Sequence, residues 1–399
     1  MSSLSQESIV VVGGCGHVGL PLALSLANTN LLVSAFDINQ AAVESVNRGQ
    51  IPFFEEGLDD LLQTELANGR FKATTDAQII SQSQVVIIVI GTPVDEHLNP
   101  DRSAIRRVLE NLSAYLQDGQ LLILRSTIYP GVTRMVEEYV ATLGVNIDIA
   151  FCPERIAEGH ALKEIHSLPQ LIGARSPVAM ERASQLFSQI ASSIIEVSPE
   201  EAELAKLFTN TWRYLKFAAA NQLYMIANDA GVDFERVRHA VTTDYPRASD
   251  MPGAGFAAGP CLLKDTMQLA AFNNNQFTLG HSSMMVNEGL PLYLVSQAEK
   301  KFDLKTLTVG ILGMAFKGES DDTRSSLSYK LKHVLDFRCK KVLCADENVR
   351  DDQSLIPELQ LIEEADLIFI GAAHKRYKSV EINKPIIDVW NLRGSGVLI

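Results

Sequence analysis

The chain has 399 residues, of which 46% are hydrophobic and 21% charged. These are globular proportions in a chain too long for one core, so two or three domains are expected. A formal net charge of −13, with no Lys/Arg-rich run, argues against nucleic acid and anionic membranes as partners and leaves small molecules or further copies of the chain. Five scattered cysteines, an odd number, suit a reducing compartment. Met1 to Ser8 lacks the basic and apolar regions of a signal peptide, and no apolar run approaches a membrane span, so a cytoplasmic location is expected.

The first apolar segment, Ile9 to Val12, is short and β-branched and runs into Gly13-Gly14-Cys15-Gly16-His17-Val18-Gly19. A helical stretch, Leu20 to Ala27, and a second strand, Leu31 to Phe36, follow, and the second strand ends at Asp37. Strand, GxGxxG turn, helix, strand and acid in that order predict a dinucleotide site. Gly14 permits the turn, Gly16 lets a pyrophosphate approach backbone amides at the helix start, and Gly19 lets helix and strand pack closely. Asp37 can accept both ribose hydroxyls and would repel a 2'-phosphate, which favours NAD over NADP.

Val/Ile-rich segments at Val85 to Ile90, Leu121 to Leu124 and Ile147 to Phe151 continue the βα alternation and predict a buried parallel sheet. The ligand crevice of such a sheet lies at the strand carboxyl ends. There the chain reads Gly91-Thr92-Pro93, Ser126-Thr127 and Pro153-Glu154-Arg155, with Glu158 close behind. Turn chemistry and solvated surface charge are the plain alternatives for these residues.

Ser198-Pro199-Glu200-Glu201 supplies an N-cap, a proline at the first helical position and a capping-box acid, and no Gly or Pro follows until Gly231. A helix of about 30 residues is on the order of 45 Å long, which suits a bridge between domains or a dimer interface. Lys206 and Asn210, four apart, share a face of it. Next comes a small-residue loop, Gly253-Ala254-Gly255-Phe256-Ala257-Ala258-Gly259-Pro260, leading to Cys261-Leu262-Leu263-Lys264-Asp265. Small residues here suggest close approach by a ligand. A helix starting near Cys261, together with Lys264, would favour a thiolate nucleophile. Cys15, Cys152, Cys339 and Cys344 lie in or beside strands or in the glycine turn and are expected to be inert; the histidines form no metal-ligand spacing with them.

A third block opens with the strand Thr308 to Leu312, then Gly313-Met314-Ala315-Phe316-Lys317 and Asp321-Asp322-Thr323-Arg324. Further strands at Lys341 to Ala345, Leu367 to Ile370 and Pro385 to Val389 predict a second α/β domain. Its first turn lacks GxGxxG, so a second NAD is not expected; Lys317 and Arg324 are candidates for phosphate oxygens.

In this order the motifs resemble the UDP-glucose/GDP-mannose dehydrogenase family over nearly the whole chain. The likeness rests on the glycine turn, Gly91-Thr92-Pro93, Ser126-Thr127, Pro153-Glu154-Arg155 with Glu158, Glu203-Leu204-Ala205-Lys206 with Asn210, Cys261 to Asp265, and Phe316-Lys317 with Asp322-Thr323-Arg324. It implies an α/β fold of two Rossmann-like doubly wound domains joined by a long central helix. The expected division is residues 1–197 for NAD, 198–302 for the helical dimerisation segment carrying the reactive Lys and Cys, and 303–399 for the nucleotide sugar.

The resemblance also implies a homodimer that oxidises a nucleotide-sugar C6 alcohol to the uronate with NAD, through a covalent intermediate on Cys261. Catalysis would then rest on Cys261, Lys206, Asp265, Asn210, Glu154 and Thr127. Gly14, Gly16, His17, Val18, Gly19, Asp37, Thr92, Thr127, Glu158, Lys264 and Arg324 would surround NAD. Glu154, Arg155, Lys206, Asn210, Arg247, Gly259 and Lys317 would meet the nucleotide sugar; no metal is implied. Ala258-Gly259-Pro260 and Asp388-Val389-Trp390-Asn391 depart from the family pattern on the sugar and diphosphate side, which leaves UDP-hexose, UDP-N-acetylhexosamine and GDP-mannose open. A two-electron hydroxyacid dehydrogenase, needing no cysteine, and a non-enzymatic NAD-binding scaffold are the rival readings.

Overall fold

The computed structural model describes residues 7–92, 95, 101, 103–157 and 159–399. They form two compact units, Met1–Phe208 and Thr209–Ile399.

The first unit is built on an eight-stranded sheet of order β3-β2-β1-β4-β5-β6-β7-β8. Its strands are β1 (Ser8–Val12), β2 (Leu32–Phe36), β3 (Phe71–Thr74), β4 (Val85–Ile88), β5 (Leu121–Leu124), β6 (Asp148–Phe151), β7 (Gln170–Ala174) and β8 (Ile194–Val197). The Val/Ile runs follow from burial on both faces. In β1, Ile9 and Val11 pack with Leu20, Leu24 and Leu26 of the first helix, whereas Val10 and Val12 pack with Ile105, Leu109 and Val136 on the opposite face. β1 pairs in parallel with both β2 and β4, with Val12 level with Phe36 and Ile88. Strand order therefore reverses at β1, and the loops after β1 and β4 open onto the crevice where doubly wound sheets take ligands.

The parallel sheet expected from the sequence holds from β1 to β6, but β7 runs antiparallel to β6, with Phe151 opposite Gly173. Strand direction is set by the end of the sheet to which the connection delivers the chain, and this connection, with the helix Ala161–Ser167 among its described residues, enters β7 at the carboxyl end of β6.

The helix Pro199–Asp229 has 31 residues, about 46 Å at 1.5 Å per residue. Its capping box forms as the sequence predicts: Glu201 N donates to Ser198 Oγ (3.3 Å) and Ser198 N to Glu201 Oε2 (2.7 Å). The C-terminal stop is Gly231 at φ +73°. The boundary between the compact units falls within this helix. Trp212, Leu223 and Ile226 leave 59%, 42% and 57% of their surface exposed and share one face at 100° per residue.

In the second unit a parallel sheet of order β10-β9-β11-β12 joins β9 (Thr308–Leu312), β10 (Lys341–Ala345), β11 (Leu367–Ile370) and β12 (Ile386–Ile387). Val309 and Ile311 of β9 share one apolar cluster with Tyr224, Phe234, Leu290 and Leu294 from the helical segment. Helices and one face of the sheet therefore share a core here. No helix among the described residues is long and apolar enough to cross a membrane.

Candidate active site

The glycine turn of the first unit shows which glycines serve the fold and which faces outward. A Cβ on Gly14 would lie 2.7 Å from Ala35 Cα, and one on Gly19 would lie 2.3 Å from Gly13 O. Both glycines are required by packing. A Cβ on Gly16 would meet nothing nearer than Gly13 O at 3.7 Å, so its backbone is open to approach. The helix that follows, Gly19–Ala27, is capped at Val18 by no side chain; Leu20 N and Leu22 N donate to Gly16 O and Val18 O, so it is the positive end of the helix dipole and the turn around Gly16 that an anion would meet. This open cradle fits the pyrophosphate of NAD. His17 stacks on Phe53 with ring centroids 4.2 Å apart.

Asp37 sits at the end of β2 as expected, but it also works within the turn. Its Oδ2 accepts from Cys15 N at 3.1 Å and its Oδ1 from Asn39 N at 3.0 Å. The Cys15 thiol is pushed up to about 12, by burial first and then by the Asp37 charge. Burial pushes Cys152 and Cys344 up to about 12 as well, and Cys339 to about 11. All four are poor thiolates.

The loops after β4 and β5 are stitched together. Thr92 Oγ1 donates to Thr127 O (2.5 Å), and Ile90 N to Ser126 Oγ (2.7 Å). Pro93 and Glu158 lie outside the described residues. Glu154 is buried after β6, where its Oε1 accepts from Ile156 N and its Oε2 lies 3.3 Å from Arg125 Nη2. Sequence reasoning missed Arg125. It is 3% exposed, lies 5.2 Å from the centroid of the Phe187 ring, and donates through Nη1 to Cys152 O (3.2 Å) and Gln170 Oε1 (2.9 Å). The signal was a cation directly following the apolar run Leu121–Leu124. Half-buried Arg155 reaches Pro169 O through Nη2, a bond to the unit's own backbone.

Glu203 on the long helix is fully consumed. It accepts from Gly131 N (2.7 Å), Thr133 N (2.8 Å) and Thr133 Oγ1 (2.6 Å), which caps the helix Val132–Thr142. One turn later Lys206 is buried, and its side chain forms no ion pair or hydrogen bond among the described residues.

In the second unit Cys261 caps the helix Leu262–Phe272 and is exposed, as the sequence predicted. Its carbonyl accepts from Asp265 N (2.9 Å). The Asp265 side chain is wholly buried and accepts from Asn210 Nδ2 at 2.5 Å through Oδ2. Lys264 Nζ lies 3.1 Å from its Oδ1, off the angle of a hydrogen bond. The fold thus gathers Asn210, Cys261, Lys264 and Asp265. With Lys264 turned onto Asp265, the cation expected to assist the thiol is engaged by the carboxylate.

The small-residue loop before Cys261 departs from expectation in what its glycines admit. A Cβ on Gly259, at φ +98°, would lie 2.5 Å from the Phe316 ring, and one on Gly255 2.4 Å from the Trp390 ring. These glycines make room for the protein's own aromatics. Asn221 holds the same loop, accepting from Gly255 N (2.9 Å) and donating to Gly255 O (3.0 Å). Lys317 Nζ lies 5.6 Å from the centroid of the Phe316 ring. Arg324 is paired with Asp322, Nη2 to Oδ2 at 2.6 Å. Arg247 is exposed beside Tyr245, its Nη1 3.5 Å from the phenol oxygen.

Three family descriptions match in succession. The NAD binding domain of the UDP-glucose/GDP-mannose dehydrogenase family matches residues 7–191, its central domain 200–288 and its UDP binding domain 310–394. The UDP-N-acetyl-D-mannosamine dehydrogenase of Pyrococcus horikoshii is 31% identical over 384 residues, covering 93% of this chain and 90% of that protein. The solved structure of UDP-D-ManNAc dehydrogenase from the same organism superposes with a TM-score of 0.88 at 28% identity, covering 96% of each chain. A UDP-glucose dehydrogenase from Pyrobaculum islandicum gives a TM-score of 0.89 at 26% identity, covering 97% of this chain and 95% of that one. With an open glycine cradle for NAD in its first unit and family likeness running from residue 7 to residue 394, the chain belongs to the UDP-glucose/GDP-mannose dehydrogenase family.

Proposed function

We propose that this protein carries out the NAD-dependent four-electron oxidation of a nucleotide-sugar C6 alcohol to the uronate, with Cys261 as covalent nucleophile. The observation that carries this reading is the arrangement around Cys261: an exposed thiol at a helix N-terminus, one turn from a buried Asp265 that Asn210 anchors at 2.5 Å. The helix dipole favours the thiolate.

In the first oxidation the C6 hydroxyl loses its proton and C6 its hydride, and the Lys206 ammonium and the Asn210 amide stabilise the oxygen as charge develops. The Cys261 thiolate then adds to the aldehyde, forming a C–S bond and a thiohemiacetal. Loss of a second hydride from C6 leaves a thioester on Cys261. Glu154 takes a proton from water, which Thr127 helps to hold, and attack by that water breaks the C–S bond, returning the thiol and releasing the carboxylate. NAD supplies the hydride acceptor for each oxidation. In balance, one alcohol, one water and two NAD+ give one carboxylic acid, two NADH and two protons.

The UDP binding domain match and the names of the relatives favour a UDP-linked substrate, with UDP-N-acetyl-D-mannosamine first and UDP-glucose second in the order of testing. The protein is read as a cytoplasmic homodimer whose interface takes in the exposed Trp212, Leu223 and Ile226 stripe, with Arg247 contributing to a neighbouring subunit's site. The deciding experiment counts NADH against acid over a panel of nucleotide sugars. Two NADH per acid, with Cys261→Ala binding NAD but making no acid, is the expected result. Substantial acid from Cys261→Ala would overturn the covalent route, and one NADH per substrate would favour the two-electron hydroxyacid reading.

A further inference from the structure

The second sheet repeats the acid of the first in a different setting. Asp346 follows β10 as Asp37 follows β2, and its Oδ2 accepts from Met314 N (2.8 Å) and Ala315 N (3.0 Å) in the turn after β9. Its Oδ1 accepts from Asn348 N (3.0 Å), and Arg376 Nη2 stands 3.5 Å away. The remaining partner is His374, 1% exposed, whose Nε2 lies 3.1 Å from Oδ2. The other ring nitrogen, Nδ1, faces Glu319 N at 3.0 Å and the Asn348 side-chain Nδ2 at 3.1 Å. A backbone N–H can only donate, so Nδ1 is the acceptor and Nε2 carries the proton. The turn Met314–Glu319 is thereby tied down at both ends, at Met314 and Ala315 by Asp346 and at Glu319 by His374, with Phe316 and Lys317 between the ties.

The geometry points to His374 as a positioning residue for nucleotide binding by this turn: its neutral imidazole takes a hydrogen bond from Glu319, gives one to Asp346, and so presets Lys317. The inference rests on reading Lys317 as a contact of the nucleotide sugar. A turn ordered before binding does not have to be ordered by the ligand, and removing one tie transfers that cost to the binding step. The charged groups facing the ring are Asp346 and Glu319, with Arg376 on the far side of Asp346. Tyr377 presents its ring edge-on at 5.4 Å and donates its hydroxyl to Glu358.

The test is calorimetric titration of the full chain with UDP, and separately with NAD. His374→Phe keeps a ring but neither bond, and should weaken UDP roughly tenfold while leaving NAD affinity unchanged. His374→Gln, which retains an acceptor and a donor, should recover most of that loss. Lys317→Ala should itself weaken UDP. If it does not, the reading of the turn fails and the proposal with it. If Lys317→Ala weakens UDP while His374→Phe matches wild type, or while His374→Gln binds UDP no better than His374→Phe, the positioning role is overturned. If His374→Phe does not fold, His374→Asn, whose shorter amide cannot reach both partners, takes its place in the comparison with His374→Gln.

Discussion

Asp37 carries two duties that one set of substitutions can separate. It is expected to discriminate between ribose and its 2'-phosphate, and it also holds the glycine turn to the end of β2. Asp37→Ala removes acceptors from two amides: Cys15 N, at 3.1 Å in a part-buried position, and Asn39 N, at 3.0 Å in an exposed one. Water replaces the second at little cost, whereas the first is left with poor solvation, so the substitution should cost about 1–2 kcal/mol. For a unit of this size that corresponds to a fall in Tm of roughly 2–8 °C. Charge repulsion of a 2'-phosphate at contact distance is worth about 1–3 kcal/mol at surface-like dielectric, so NAD preference should narrow by roughly tenfold to a hundredfold. Asp37→Asn keeps one acceptor for the turn but no charge. It should recover much of the stability while leaving the preference narrowed. Thermal denaturation and kcat/KM with each cofactor measure the two effects independently. Unchanged Tm and unchanged preference in Asp37→Ala would refute both duties, and a preference restored in Asp37→Asn would show that charge is not the discriminator.

Glu203→Ala strips the acceptor from three donors at a buried site and should destabilise the first unit by about 2–4 kcal/mol; a Tm within error of wild type would contradict the capping role. Lys206→Ala should lower kcat about 10²- to 10³-fold, by analogy with loss of an oxyanion-hole donor, with NAD affinity retained in a binding titration. Light scattering should show a dimer that Ile226→Asp dissociates, since that change places a charge in the exposed apolar stripe; a wild-type monomer at micromolar concentration would remove the dimer from the proposal.

How much of this was legible in the sequence depended on whether the signal was local. The glycine turn, the capping box at Ser198 and the helix start at Cys261 are each written within a few consecutive residues, and each stands where the sequence placed it. The reversal at β7 was not legible, because strand direction depends on how the chain returns and not on the composition of Gln170–Ala174. Arg125 escaped for a related reason: its partners Cys152, Glu154 and Gln170 lie 27, 29 and 45 residues away. The small loop at Gly253–Pro260 was legible as a site of close approach, but not as to what approaches, since Phe316 and Trp390 arrive from distant strand ends. Asp37 was read correctly in position and incompletely in role, because a turn amide that needs an acceptor leaves no mark on the sequence.

The glycine turn also offers a rule for reading other chains with this motif. Gly14 and Gly19 answer to the protein's own backbone, whereas the Cβ position of Gly16 faces free space 3.7 Å from its nearest neighbour. A methyl group there would leave the fold intact and intrude only on whatever occupies the cradle. Folding and cofactor binding are thus written on different letters of one short word. A descendant that abandoned the dinucleotide could let the middle glycine drift while the outer two stayed fixed, and a sequence showing that pattern would describe a folded protein with an empty grip.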